Sequence, residues 1–502
     1  MLMARLQDIE MKAAYLSLDQ GTTSTRAMIF DIDGQIVCTA QKEFRQIYPD
    51  DGWVEHDPEE IWQTSLDVVR TALETASAHG HTVKAMGITN QRETTIIWNR
   101  HTGKPIYNAI VWQDRRTSDR CQSLMQAGHE ELVSERAGLV IDPYFSASKI
   151  AWILDNVEGA RKAADAGDLA FGTVETFLIW RLSGGKHHLT DATNAARTSL
   201  VDIRSGDWDM DLCNLFNVPQ AILPQIVDCT NINVDSSDVL GQPLRILAAI
   251  GDQQSAAVGQ ACFSAGDIKS TYGTGCFVIL NTGTELVRSS NRLLTTIGLQ
   301  LDGRRYYALE GSIFIAGAVV QWLRDEMGLI TSAEETESRA AKASASGLYM
   351  VPAFTGLGAP WWSADARGAI YGITRDTGPD DFIKAALDSV AYQTCDLFDA
   401  MAGDGVKPVS VKVDGGMVAN DFFVQRLSDL LDLPVDRPAV TETTAFGAAM
   451  LAALADGAFA GLDDIEQSWN LERKFTPQMN RNTRHALKSG WAEAVTKTRL
   501  SL

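Results

Sequence analysis

A carboxylate, a glycine turn and a row of hydroxyls stand side by side in Leu18-Asp19-Gln20-Gly21-Thr22-Thr23-Ser24-Thr25-Arg26. Backbone N–H groups at a tight turn form an anion-binding nest. Hydroxyls can donate into it and an arginine adds a two-pronged fork, so this spacing suits phosphate oxygens. Asp19, at the edge, suits Mg²⁺, which takes one or two carboxylates together with phosphate. The competing reading is a solvated hairpin, because Gly, Ser and Thr are ordinary turn residues. Three further places set polar groups directly after an apolar run: Arg92-Glu93, Asp252-Gln253 and Asp414-Gly415-Gly416. Their alternatives are an exposed ion pair, a helix cap and a plain turn. No histidine lies between Leu189 and Arg484, which disfavours a histidine triad or metal cluster and leaves carboxylates as the bases. There is no G-x-G-x-x-G after a strand, no G-x-x-x-x-G-K-[ST] and no G-x-S-x-G.

Elements that could hold these groups follow from the apolar patterning. Residues 15–18 and 27–30 read as two strands joined by the tip at Gly21, and Asp33-Gly34 turns the chain into a third strand over 35–40. A helix is predicted over 58–78, with Ile61, Leu66, Val69 and Leu73 on one face. Buried strands over 83–89 and 246–250 lead into Asn90-Gln91-Arg92-Glu93 and Gly251-Asp252-Gln253-Gln254. The opening theme then recurs, with a strand over 268–272, the turn Gly273-Thr274-Gly275 and a returning strand over 277–280. A hairpin turning at Asp302-Gly303 follows, then a strand over 411–413 and a helix from Asn420. Two halves, each opening on a glycine-turn hairpin, place a boundary near residue 260. The expected domains are 1–260 and 261–502, facing each other across a cleft. Polar residues at the carboxyl ends of such strands commonly line a ligand crevice.

A chain of 502 residues has room for two or three domains with sizeable cores. Its 45% hydrophobic and 22% charged residues, with no apolar run long enough to span a bilayer, fit a soluble globular protein. Residues 1–13 carry Arg5, Asp8, Glu10 and Lys12 and lack the apolar stretch of a secretory signal. Met11 stands just ahead of the first strand, so residues 1–11 are expected to be a frayed or artefactual extension. Seven scattered cysteines without a C-x-x-C pair suit a reducing, cytoplasmic compartment. A net charge of −20 argues against nucleic acid or an anionic membrane as partner and requires local groups and a metal ion to receive an anionic ligand.

Segments 18–26, 52–58, 87–95, 108–116, 141–146, 251–254, 270–277 and 352–360 together resemble the glycerol kinases, within the FGGY carbohydrate kinases. The likeness runs from Ala14 to beyond Ala449. It implies an α/β fold of two RNase H-like (actin-like ATPase) domains around a central cleft. It implies ATP-dependent phosphorylation of glycerol to sn-glycerol 3-phosphate, with ATP and Mg²⁺ bound and a homodimer or homotetramer formed. By the resemblance, Arg92, Glu93, Tyr144, Asp252 and Gln253 hold the polyol, with Trp112 and Phe277 against its carbon edge. Asp252 is the implied base and Asp19 the magnesium organiser. Thr22, Thr23, Ser24 and Arg26 meet the β- and γ-phosphates, and Gly273 and Thr274 close from the other domain. Gly317, Gln321, Gly416 and Asn420 correspond to positions around the nucleotide, although Gly317 could instead serve helix packing. Trp112 and Phe277, without the resemblance, would read as core aromatics.

One departure bears on regulation. Family members inhibited by fructose 1,6-bisphosphate carry a glycine-rich basic loop where this chain has the shorter, acidic segment 231–241. Weak or absent inhibition is therefore expected, and the histidine-free span excludes activation by histidine phosphorylation there. The rivals are a pentulose or gluconate kinase and a chaperone-like ATPase. Asn90-Gln91-Arg92-Glu93 weighs against the first, and the polyol-binding set against the second.

Overall fold

The apolar run that opens the chain forms β1 (Lys12–Gln20), buried from Ala14 onward because both of its faces are covered. The computed structural model describes residues 11–344, 347–363 and 365–500, so the expectation for residues 1–11 lies, Met11 apart, outside the described residues. β1 turns into β2 (Ser24–Asp31), and Gly34, at φ +79°, turns the chain again into β3 (Ile36–Glu43). α1 (Pro58–Ala78) spans the predicted range. Asp57 caps it by accepting from the Glu59 N–H at 2.9 Å, and Pro58 fits the first turn, where its missing N–H costs nothing. The face with Ile61, Leu66, Val69 and Leu73 is buried, as the periodicity predicts.

With β4 (His81–Asn90), β5 (Val234–Asp235) and β6 (Arg245–Gly251), the first sheet has the order β5-β6-β4-β1-β2-β3. β6, β4 and β1 are parallel neighbours, and Gln20, Asn90 and Gly251 share one register line, so three strands end level. α2 (Asp252–Gly259) begins where β6 stops.

The second sheet repeats the pattern. β7 (Asp267–Tyr272) and β8 (Cys276–Gly283) form its hairpin, followed by β9 (Leu294–Leu301) and β10 (Arg304–Ile313). Asp302 and Gly303, both at positive φ, make the two-residue turn between β9 and β10. β11 (Ser410–Asp414), β12 (Val435–Pro438) and β13 (Leu471–Phe475) complete the order β9-β10-β8-β7-β11-β12-β13. Both sheets therefore contain an antiparallel three-strand run extended by two parallel strands. α3 (Gly317–Asp325), the long α4 (Pro379–Gly403) and α5 (Asp421–Leu431) accompany the second sheet, and Ile383, Leu387, Val390 and Leu397 of α4 enter its core.

α6 (Thr443–Ala455) packs back against β1, β4, β6 and α2. The chain accordingly divides into two compact units. One comprises residues 11–261, Thr296–Tyr306 and Thr443–Trp469. The other comprises Cys262–Thr295, Tyr307–Glu442 and residues 470–500. α2 and α6 meet backbone to backbone. A Cβ at Gly259 would stand 2.0 Å from the Thr443 carbonyl oxygen, one at Gly447 2.0 Å from that of Ser255, and one at Gly87 2.1 Å from that of Ala448. Among the described residues no helix is long and apolar enough to cross a membrane.

Candidate active site

The level ends of β1, β4 and β6 bring the polar groups of the first unit together. Arg92, just beyond β4, is almost fully buried and sends Nε to Asp252 Oδ1 at 3.1 Å. Its other nitrogens donate to Gln254 Oε1 at 3.2 Å and to the Tyr144 hydroxyl at 3.4 Å. Gly251 makes room for this guanidinium: a Cβ there would lie 2.8 Å from Arg92 Cδ. Asp252 opens α2, and the same Oδ1 accepts the Gln253 N–H at 2.7 Å. The cap position itself belongs to Gly251, so the cap reading of Asp252 holds only in part. Gln253 and Tyr144 are half-buried beside it.

Glu93 is buried at 1% exposure, which removes the exposed ion-pair alternative for Arg92-Glu93. It sits at φ +62°, and the Thr94 N–H closes on the Arg92 carbonyl at 2.7 Å. That is a γ-turn of the strained, positive-φ kind. The turn is held from outside: Arg197 Nε donates to Glu93 Oε1 at 2.5 Å, and the Ser146 hydroxyl to the Glu93 carbonyl at 3.0 Å. The Arg197 guanidinium lies 5.4 Å from the Tyr144 ring centre and 5.2 Å from that of Phe145. Trp112 stands edge-on to Tyr144, 5.7 Å between centres, and its indole N–H donates to Thr22 Oγ1 at 3.0 Å. Arg92, Glu93, Trp112, Tyr144, Asp252 and Gln253 are thus brought to one end of one sheet.

At the hairpin, Asp19 and Arg26 face each other across the ladder, with 3.7 Å between carboxylate and guanidinium. Ser24 accepts from Gln41 at 3.0 Å, and Thr23 is exposed. Thr25, one of the tip hydroxyls, is turned inward onto Thr64 at 3.0 Å, away from the sheet face that Ser24 and Arg26 share. The carbonyls of Gly21 and Thr22 are tied into the protein: the first accepts from Gln20 at 2.8 Å and Gln91 at 3.0 Å, the second from Gln46 at 3.0 Å. In a planar trans peptide the N–H points opposite to the C=O, so the amides of Thr22 and Thr23 are aimed outward. An outward pair of amides flanked by hydroxyls is an anion nest. Among the described residues no group of three or more His, Cys, Asp or Glu could hold a metal ion by itself.

In the second unit, the Gly273-Thr274 turn receives the start of α3. The Ala316 and Gly317 N–H groups donate to the Thr274 and Gly273 carbonyls at 2.9 and 2.8 Å. A Cβ on Gly317 would come within 2.6 Å of the Gly273 oxygen, so this glycine is required by a close approach. Gly415, at φ +91°, folds over Tyr272, and Asp414 accepts from the Thr271 hydroxyl, which makes the segment more than a plain turn. Gly416 and Gln321 are exposed, Thr274 is exposed, and Phe277 is half-buried on β8 opposite Thr271. Asn420 caps α5 by accepting from the Phe423 N–H at 2.9 Å and donates to Thr336 at 3.0 Å.

Arg197, Lys149, Gln91 and His56 shape the first unit's site and were not singled out from the sequence. His56 and Gln91 fall inside the segments 52–58 and 87–95 that carry the resemblance, and the signal for Arg197 was the run Thr190-Asp191-Ala192-Thr193-Asn194-Ala195-Ala196-Arg197, whose polar residues the fold buries. Thr193 Oγ1 accepts the Gly251 N–H at 2.9 Å, and Asn194 exchanges hydrogen bonds with Asn90 at 3.0 and 3.1 Å. The segment therefore clamps the ends of β4 and β6.

Residues 14–259 match the N-terminal domain of the FGGY family of carbohydrate kinases, and residues 268–455 match its C-terminal domain. The chain is 56% identical over 486 residues to the glycerol kinase of Rhodospirillum centenum, covering 96% of this chain and 98% of that one. It is similar in structure to the Plasmodium falciparum glycerol kinase with ADP, with a TM-score of 0.93 and 36% identity over 98% of this chain and 99% of that one. A gluconate kinase from Lactobacillus acidophilus shares the fold at a TM-score of 0.88 and 20% identity, over 97% and 99% of the two chains. The architecture is the two-domain, actin-like ATPase fold expected from the sequence. Matched along nearly its whole length, this chain belongs to the FGGY family of carbohydrate kinases.

Proposed function

We propose that this protein transfers the γ-phosphoryl group of MgATP to a primary hydroxyl of glycerol, giving sn-glycerol 3-phosphate and ADP. The observation that carries the reading is the Arg92–Asp252 pair, 3.1 Å apart at level strand ends that also carry the outward-facing hairpin. A hydroxyl both donates and accepts, so a donor-only guanidinium and an acceptor-only carboxylate fix its orientation. Asp252 accepts the hydroxyl proton as the new O–P bond forms and the bond from the γ-phosphorus to the β-bridging oxygen breaks. Phosphoryl transfer depends on alignment and charge neutralisation more than on a strong base. Arg92, Glu93, Tyr144 and Gln253 hold the polyol, with Trp112 and Phe277 along its carbon edge. Thr22, Thr23, Ser24 and Arg26 receive phosphate oxygens, and Gly273, Thr274, Gly317, Gln321, Gly416 and Asn420 serve the nucleotide.

Asp19 fits magnesium by donor chemistry: a single carboxylate beside a phosphate nest is how this ion is usually held, with phosphate and water completing its shell. When bound, the ion neutralises charge on the β- and γ-phosphates. The seven cysteines, all free, suit a reducing, cytoplasmic setting.

The test is ADP release from MgATP with glycerol, xylulose, gluconate or no acceptor. Turnover stimulated by glycerol above the other acceptors is expected. Equal turnover without an acceptor, or preference for xylulose or gluconate, would overturn the assignment.

A further inference from the structure

Behind the hairpin lies a buried imidazole that the phosphoryl-transfer chemistry leaves unused. His56 is fully buried on the short strand Glu55–His56, with its ring edge-on to Phe44 at 4.9 Å. Its Nε2 is 2.8 Å from Gln46 Oε1, and its Nδ1 is 3.4 Å from Gln91 Nε2. Each glutamine continues to the hairpin tip. Gln46 Nε2 donates to the Thr22 carbonyl at 3.0 Å, and Gln91 Nε2 to the Gly21 carbonyl and to Gln20 Oε1, both at 3.0 Å. Those two carbonyls decide where the Thr22 and Thr23 amides point.

The donor and acceptor pattern permits one state of the ring. Gln46 can present its amide nitrogen to Thr22 only if its oxygen faces His56, so Nε2 carries the hydrogen. Gln91 is fixed at its other end as well, because its Oε1 accepts from the Thr94 hydroxyl at 2.9 Å. Its NH₂ group therefore faces Nδ1; its two hydrogens go to Gly21 and Gln20 at 3.0 Å, and Nδ1, at 3.4 Å, carries no hydrogen and takes only a shared one. A doubly protonated ring would set N–H against NH₂ and force Gln91 to release Gly21. Burial, which pushes this imidazole down to about 4, keeps it neutral.

We propose that His56 is a positioning residue for phosphoryl transfer: as a neutral Nε2–H imidazole between Gln46 and Gln91, it locks the hairpin carbonyls inward and so aims the Thr22 and Thr23 amides at the phosphate of the bound nucleotide. This inference rests on reading the hairpin as the phosphate site.

The test compares His56→Phe, which keeps the ring against Phe44, with His56→Gln, which restores a donor to Gln46. Steady-state kinetics for ATP is read beside direct calorimetric binding of glycerol. His56→Phe is expected to lower kcat/KM for ATP by about 10²-fold, the cost of a small misalignment at a reacting centre. Glycerol affinity should stay within about threefold, and His56→Gln should recover at least about tenfold of the loss, since the donor that orients Gln46 returns. Gln46→Met, which removes the link from His56 to Thr22 together with a longer one to the Phe44 carbonyl and leaves Gln91 in place, should repeat the ATP defect and stands in if His56→Phe does not fold. Unchanged ATP kinetics, an equal loss of glycerol affinity, or His56→Gln no better than His56→Phe would each overturn the proposal. Arg26→Ala separates the two levels. If it damages ATP kinetics while the His56 and Gln46 variants do not, the hairpin reading stands and the positioning role fails. If none of the variants moves them, the hairpin reading fails and takes the positioning role with it.

Discussion

On the proposed reading Arg92 and Asp252 work as one unit, and removing either half should fail differently. Asp252→Asn keeps the shape of the side chain but not its basicity, so kcat should fall at least about 10²-fold, the general-base range, with glycerol affinity changed far less. Arg92→Ala should weaken glycerol binding and leave the KM for ATP near its original value. Kinetics in which Asp252→Asn keeps kcat, or Arg92→Ala damages only ATP binding, would reverse the roles. These residues were legible because charged side chains directly after apolar runs stand at strand ends. Lys149 was not, because its partners are carbonyls that only the fold reveals. Fully buried, its Nζ donates to the Pro143, Tyr144 and Phe145 carbonyls at 2.7, 2.6 and 3.1 Å and so shapes the turn that presents Tyr144. Burial pushes this amine down to about 8, against the pull of Glu93, Asp114 and Asp142. Below that pH three hydrogens meet three carbonyls; above it one carbonyl loses its donor. Glycerol affinity should therefore weaken as pH rises through about 8, and calorimetric titration from pH 7 to 9 reads it. A flat profile would show that the amine stays charged.

At the scale of elements, α1 was readable because its apolar face repeats cleanly, and the structure adds the capping Asp57 and Pro58 in the first turn. Strand centres were equally clear, and their ends differ from the sequence reading by at most three residues, mostly because ladder pairing continues past the apolar run. α6 was not readable. Thr443–Ala455 is apolar on every side, so no stripe says what it faces, and its partners lie nearly two hundred or more residues earlier in the chain. What fixes it is steric: glycines at 87, 259 and 447 allow carbonyl contact that any side chain would block. Gly447→Ala should drive α6 off α2 by meeting the Ser255 carbonyl, and Ser255 lies three residues after Asp252 on the same helix. Overpacking of this kind costs about 1–3 kcal/mol. The first unfolding transition should fall, and kcat should fall with it as the Asp252 carboxylate shifts. Gly461→Ala, where a Cβ meets nothing within 4 Å, is the matched control and should leave both unchanged. Equal behaviour of the two variants would show that α2 tolerates a wider spacing.

At the scale of the whole molecule, the repeated hairpin announced two similar sheets, yet nothing local tells a chain that residues near 450 belong with those near 90. The same burial that joins distant segments also sets how the first unit responds to acid. His56 and His188 are both held down to about 4 by loss of solvent, which at His188 outweighs the opposing pull of its Nε2 donation to the Phe171 carbonyl at 2.7 Å. Glu175, fully buried beside Asp191 and among Thr173, Thr176 and Thr190, is pushed the other way, up to about 7. A histidine with a depressed pKa contributes stability above its unfolded value of about 6.5 and loses it as pH falls through the folded value. A carboxyl with a raised pKa contributes stability below its unfolded value and loses it as pH rises through about 7. Between pH 4.5 and 6.5 the two terms therefore run in opposite directions. His188→Gln keeps an N–H for Phe171 but cannot take up a proton, so its stability relative to the parent should improve on acidification, by up to about 1.4 kcal/mol per pH unit. Glu175→Gln should do the reverse, losing ground relative to the parent as pH falls from about 7 toward 4.5. Denaturant unfolding at pH 7, 6 and 5 reads both slopes. Parallel curves for parent and His188→Gln would mean that the imidazole takes up its proton as readily in the folded protein as in the unfolded chain. Its Trp98 and Phe171 surroundings would then have to admit water.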